Sequence, residues 1–321
     1  MKTGERMSVS RSTKSLRFSA DALKDIVWST QEIVADAPGP RLCIMTGVHV
    51  NEVAAIEAGF RLTDIFAKEL KRGSVSVLSF ANVPAVFERT EFNCPIDRKN
   101  INFCFPGTKE GTFSEVLADA ILNEWASDAD CLIDLHGGDL REQVSQFTVM
   151  QETGDPSFDA FNLELAEAFD PQFVMALPKP TAGAHGRSCT GRALKSRHAA
   201  FAEAGGNGVV DEISVAFHVD GVRRVAHLYA MTDDAPPKAR VALVAESYAW
   251  IVAKKSGWCE FHVPVGDAVG EGQVLATIRD LHGTVIDKLV AQTTGFLLWR
   301  VTHPIVRETD ALMGVCSHFR D

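Results

Sequence analysis

Apolar residues run almost unbroken through 42–48 (LCIMTGV) and 131–135 (CLIDL), and 74–80 (SVSVLSF) is similarly apolar. Runs of this length predict strands buried on both faces. Between the first and the last of these three lies a stretch, 52–70, with apolar residues at helical spacing; it ends in Lys71, Arg72 and Gly73, a basic last turn with a glycine stop. Helical spacing recurs at 115–125, 158–169, 193–204 and 219–229. Shorter strand patterns fall at 147–150, 173–176 and 209–213. Buried strands alternating with helices predict an α/β fold: a mixed, mostly parallel sheet with helices on both faces. Ligands of such sheets bind beyond the carboxyl ends of the strands.

From about Arg240 the pattern changes to short β-rich pieces punctuated by Gly266, Gly270, Gly272, Gly283 and Gly295. Strands this short, with turn signals at this spacing, predict a small all-β C-terminal domain. Ala235, Pro236, Pro237 and Lys238 mark the boundary, dividing the chain into 1–237 and 238–321.

A formal net charge of −10 disfavours non-specific nucleic-acid binding but leaves room for a locally basic pocket. The seven cysteines are scattered and never paired as C-x-x-C, which predicts free thiols in a reducing, cytoplasmic setting rather than a disulfide framework. Residues 1–14 are polar and basic, unlike a signal peptide, and no apolar run approaches the ~20 residues of a membrane span. The expected partner is a small molecule, with neither nucleic acid nor membrane; a homo-oligomer stays open.

Two segments carry candidate chemistry. Gly47-Val48-His49-Val50-Asn51-Glu52 follows the first strong strand, and Asp134-Leu135-His136-Gly137-Gly138 follows the third. Hydrolytic zinc takes three protein ligands, often two His and a carboxylate, and keeps a fourth position for water. His49 and Glu52, three apart at a helix start, can point at one spot. His136 would join them from a neighbouring strand end, giving one zinc ion per chain.

The same segments are similar to the motifs of the succinylglutamate desuccinylase/aspartoacylase family, relatives of the zinc carboxypeptidases. The family carries G-x-H-G-[ND]-E and D-x-H-G at these places and an N-P-x-A…N-L-N-R-x-F-P-G segment between them. Here that segment reads Asn82-Val83-Pro84-Ala85, then Asn100-Ile101-Asn102-Phe103-Cys104-Phe105-Pro106-Gly107. The resemblance implies a zinc-carboxypeptidase-like fold and a deacylase of small N-acyl amino acids or related amines, with His49, Glu52 and His136 on the metal.

The resemblance also favours Glu212, in 209–213, as the catalytic acid and base, with Asp211 as its competitor. It implies Asn102 and Arg89 as substrate contacts. Phe103 stands where the family has arginine, and Arg98 is the candidate to supply that charge, to the substrate and to the oxyanion. Two alternatives remain: a metal-binding member with lost or altered turnover, and a metallocarboxypeptidase acting on peptides. The C-terminal glycine-punctuated repeat has the shape of a lipoyl-type sandwich, but its turn at 280–283 lacks the lysine a swinging-arm carrier needs. A domain that shapes the catalytic cleft is the preferred reading.

Overall fold

The computed structural model of the chain describes residues 8–320; of the polar N-terminal stretch, residues 1–7 lie outside them. In chain order the elements are β1 (Val9–Leu16), β2 (Trp28–Ala35), β3 (Ala37–Met45), α1 (Val53–Glu69), β4 (Arg72–Leu78), α2 (Phe113–Ala120), β5 (Cys131–His136) and β6 (Glu142–Gln151). Then come α3 (Pro156–Glu167), β7 (Phe173–Leu177), α4 (Ser188–Ala193), β8 (His198–Gly206) and α5 (Glu212–Leu228). The rest is β9 (Leu243–Val252), β10 (Gly257–Phe261), β11 (Ala268–Val269), β12 (Val274–Arg279), β13 (Val285–Val290), β14 (Gly295–Val301), β15 (Ile305–Val306) and β16 (Ala311–Phe319). A π-helical turn, Ile121–Trp125, extends α2. No helix among the described residues is long and apolar enough to cross a membrane.

One mixed sheet of 12 strands runs in the order β1-β2-β4-β3-β5-β8-β6-β7-β9-β16-β14-β11. It is less parallel than the sequence predicts. Parallel pairings are confined to β4-β3-β5-β8 and β6-β7-β9, while the two ends and the β8–β6 junction are antiparallel. Strand alternation sends side chains to two helical layers. Leu42 and Ile44 of β3, Cys131 and Ile133 of β5, and Ala200 and Ala202 of β8 pack with α1 and α5. Cys43 and Met45, Leu132, and Ala199 and Phe201 pack on the opposite face with α2 and its π-helical extension.

Two element predictions need correction. Residues 193–204, rich in alanine, form the end of α4 and most of β8, not a helix. Alanine favours helices in isolation, but here its small side chains on one face of a central strand admit α1 and α5 close to the sheet. Residues 209–213 are a turn leading into α5, not a strand. Val209, Val210 and Ile213 are exposed, and Asp211 caps the helix by accepting a 2.8 Å hydrogen bond from the Ser214 N–H.

The C-terminal strands do two jobs. β9, β16 and β14 continue the large sheet, while β13-β12-β10-β15 form a second sheet of four strands over a core of their own. Residues 234–242, between α5 and β9, carry no regular structure. All seven cysteines are unpaired and buried.

Candidate active site

At the carboxyl end of β3 the chain turns through Gly47, whose φ of +64° and closeness to the Ser79 carbonyl oxygen exclude a side chain. The turn delivers His49, and Glu52 follows as the N-cap of α1. His136 ends β5, next along the sheet. Gly137 follows, where a Cβ would collide with the Ala204 carbonyl oxygen, so β5 and β8 stay close at the point where both reach the site.

His49, Glu52 and His136 meet, with ligand atoms within 4.8 Å of one another, and all three are buried. The Nδ1 atoms of both histidines converge on the Glu52 carboxylate, His49 at 2.6 Å and His136 at 2.9 Å. Each outer nitrogen faces an acceptor: His49 Nε2 lies 2.9 Å from Asn100 Oδ1, and His136 Nε2 lies 3.1 Å from Asp134 Oδ1. Acceptors on the outside set the tautomer and leave the Nδ1 lone pairs for the centre. Asp134 is itself held by the Ser188 hydroxyl, which donates to it at 2.5 Å.

The donor set suits a divalent ion. Among the described residues neither ring nitrogen of His136 makes an aligned hydrogen bond although the residue is fully buried, so its Nδ1 lone pair meets no donor there. Burial disfavours charge on His136, yet Asp134 and Glu52 raise it well above the usual histidine value. Burial likewise disfavours charge on Glu52, but the facing His49 and His136 hold its carboxyl well below the usual range. Both shifts express one field, which favours positive charge at the centre of the cluster.

The nearby carboxylate is not the expected one. Glu212 opens α5 on the protein surface, its two oxygens gripped by the Arg61 guanidinium at 2.6 and 2.8 Å, and it does not line the cavity. Its position follows from 209–213 being a helix entry rather than a strand. Glu203 of β8 lines the cavity instead, in parallel register with His136. It falls on the same face of the sheet as Phe201, on which His136 stacks with ring centroids 4.6 Å apart. Burial raises the Glu203 carboxyl well above its usual value, partly opposed by His136. The signal was present in the sequence, because Ala199, Phe201 and Glu203 alternate ahead of Gly205 and Gly206; read as a helix, the segment hid it.

The cavity has a volume of about 620 Å³. Asn102 lines it, buried, with its Oδ1 lacking a hydrogen-bond partner among the described residues, and Phe103 lines it too. Arg98 and Arg89 do not: both are exposed, with positive φ, in the loop before Asn100. Two other arginines line the cavity: Arg141, paired with Glu91, and Arg187, whose guanidinium lies 5.6 Å from the Phe201 ring centroid. His185, from the same loop, is exposed and faces the Cys104 carbonyl at 3.4 Å. His198 is structural, stacked on Phe158 and bonded to Asn162 at 3.0 Å. His218 is wholly buried, and burial pushes it down to about 4.

Residues 38–229 match the model of the succinylglutamate desuccinylase/aspartoacylase catalytic domain, a span of more than half the chain. The chain belongs to this family. A curated member, the N-alpha-acetyl-L-2,4-diaminobutyric acid deacetylase of Halomonas elongata, is 25% identical over 253 residues, covering 78% of this chain and 73% of the relative. The fold matches that of a product-bound ectoine utilization protein from Ruegeria pomeroyi, with a TM-score of 0.83, 21% identity, and coverage of 98% of this chain and 97% of the other. It also matches a succinylglutamate desuccinylase/aspartoacylase from Rhodobacter sphaeroides, with a TM-score of 0.82, 22% identity, and coverage of 99% and 97%. The mixed α/β architecture is thus that of the family, and a deacylase family at that.

Proposed function

We propose that this family member is a zinc-dependent deacylase that hydrolyses the amide bond of small N-acyl amino acids or related amines. The observation that carries the reading is the placement of Glu203 beside the His49–Glu52–His136 group, on the adjoining strand, in one cavity. A zinc ion held by those three residues supplies Lewis-acid polarisation of the scissile carbonyl and water acidic enough to react near neutral pH.

The chain's own residues supply the rest. Glu203 takes a proton from the attacking water and returns it to the leaving amine; a carboxyl raised by burial is suited to both transfers near neutral pH. Arg187 brings positive charge to the oxyanion that forms at the carbonyl. Asn102 orients the substrate, Asn100 orients His49, and Asp134 orients His136.

Small substrates are favoured over peptides because residues of 238–321, among them Tyr248, Trp250 and Trp299, wall the cavity. We therefore read 238–321 as a unit that closes the cleft, with the catalytic unit, zinc-carboxypeptidase-like in design, in 1–237. An N-acetyl amino acid, the kind of compound named for the Halomonas elongata relative, fits this reading. The seven unpaired, buried thiols support a reducing compartment, the cytoplasm. The test is elemental analysis of the purified protein, then turnover of an N-acyl amino acid panel before and after chelation. Zinc at one ion per chain and chelator-sensitive hydrolysis are expected. A metal-replete protein inert toward the whole panel would point to the variant with lost turnover.

A further inference from the structure

Opposite the metal cluster the cavity wall is aromatic, and the strand register builds it. In the pairing of β14 with β6, Trp299 lies across from Val144 and Val301 across from Glu142. Glu142 and Trp299 are therefore diagonal neighbours on one face, a separation of ~7–8 Å that long side chains bridge. Trp250 of β9 adds a second indole, its ring centroid 5.1 Å from that of Trp299 with the planes at 68°, and Tyr248 packs edge-on to Trp250 at 5.7 Å. Between them β16 contributes Gly314, where any Cβ would collide with Trp299 Nε1 and the Tyr248 hydroxyl. The glycine lets the Trp299 N–H donate directly to Tyr248 and lock the wall.

The charge on this side of the cavity is acidic and incompletely neutralised. Glu91 is tied to Arg141 at 2.6 and 2.9 Å, and Asp139 accepts from the Asn51 amide at 2.9 Å and the Leu140 N–H at 2.6 Å. Glu142 lines the cavity with no ion-pair partner among the described residues, and burial together with the nearby Glu52, Asp139 and Glu91 carboxylates pushes its carboxyl up to about 8, so that its ionised form calls for a facing cation. Arg300, opposite Gln143 in the ladder, points to the other face and stacks over Phe261 at 4.9 Å. Asn102, which also lines the cavity, has a buried Oδ1 with no donor among the described residues.

We propose that this corner is a cation subsite: the amine half of the substrate carries a second, protonated nitrogen, seated between the Glu142 carboxylate and the faces of Trp250 and Trp299. An ammonium is attracted to indole faces and pairs with a carboxylate, and together they distinguish it from an apolar or anionic chain of equal length. This inference rests on the deacylase reading and narrows its substrates to acylated diamines and basic amino acids.

The test uses metal-replete protein and three substrates of similar size: Nα-acetyl-L-ornithine, Nα-acetyl-L-norleucine and Nα-acetyl-L-glutamate. A charged hydrogen bond added to an aromatic contact predicts kcat/KM at least about tenfold higher for the ornithine compound. Glu142→Gln and Trp250→Leu should each bring that ratio toward one, chiefly through KM. Calorimetric binding of L-ornithine against L-norleucine gives a readout independent of turnover. If nothing in the panel is hydrolysed yet L-ornithine binds preferentially and Glu142→Gln abolishes the preference, the deacylase reading fails and the subsite stands. Equal or weaker binding and turnover of the cationic compounds, or a preference that survives both substitutions, overturns the subsite.

Discussion

Exchanging Glu203 for glutamine, beside the same exchange at Glu212, separates the carboxylate the tertiary structure selects from the one the sequence favours. Glu203→Gln keeps volume and hydrogen-bonding shape on a strand that is buried on both faces and in register with His136. It removes only the group that accepts and returns the proton, and general acid–base catalysis of this kind contributes about 10²–10⁴-fold. The expected kcat loss falls in that range, with zinc content unchanged because His49, Glu52 and His136 are intact. Glu212→Gln loosens an exposed pair with Arg61, which solvent screens, and Arg61 keeps its 2.7 Å contact to Glu57, so activity should stay within about twofold of the parent. Stability of the metal-free protein gives a second readout. Burial raises the folded-state carboxyl of Glu203 above its unfolded value of 4.5, so the parent loses stability as pH rises from about 4.5 toward the folded value. The glutamine variant lacks that loss and should gain in relative Tm over the same rise. The assay is steady-state hydrolysis of N-acyl amino acids with metal content and Tm measured in parallel. A Glu203→Gln enzyme within threefold of the parent, or a Glu212→Gln enzyme as damaged as Glu203→Gln should be, would refute the assignment.

Asp134→Asn should weaken zinc affinity about 10–100-fold, since the carboxylate that orients His136 becomes an amide, and metal-competition titration reads this directly. Gly137→Ala forces a methyl against the Ala204 carbonyl and spreads β5 from β8 where His136 and Glu203 emerge. Overpacking of this sort costs about 1–3 kcal/mol, so Tm and kcat should fall together; a variant with normal values of both would show that the strand ends can yield. Glu115 closes the capping box of α2, and its hydrogen bonds from Lys99 and from the Thr112 N–H bring its carboxyl down to about 2. The stability it adds is present above about 4.5 and is lost as pH falls through about 2. The gap in urea midpoint between the parent and Glu115→Ala should therefore be wide at pH 7 and narrow toward pH 2, whereas a gap constant with pH would contradict the capping role.

Much of the site was legible in the chain. His49 and Glu52 are three residues apart at a strand–helix junction, and His136 follows a run too apolar to be anything but a buried strand. Local rules suffice there, because spacing and strand ends dictate where side chains emerge. What local rules could not settle was which carboxylate and which guanidinium join them. Residues 193–204 read as a helix, yet most of them belong to β8, a central strand whose alanines fit beneath α1 and α5, and only strand alternation turns Glu203 toward His136. Likewise Arg89 and Arg98 sit in the segment that feeds Asn102 into the cavity, but that loop carries both to solvent, and Arg187 enters from a loop distant in sequence. The aromatic wall is entirely a tertiary product. Tyr248, Trp250, Trp299 and Glu142 lie on three strands from the middle and the C-terminal part of the chain, and they share one face only because β14 pairs with β6 and Gly314 leaves room between them. Sequence spacing specified the three candidate metal ligands, each set by its own neighbours; the pairing of distant strands decided what faces them, because sheet register is fixed by the packing of the whole molecule.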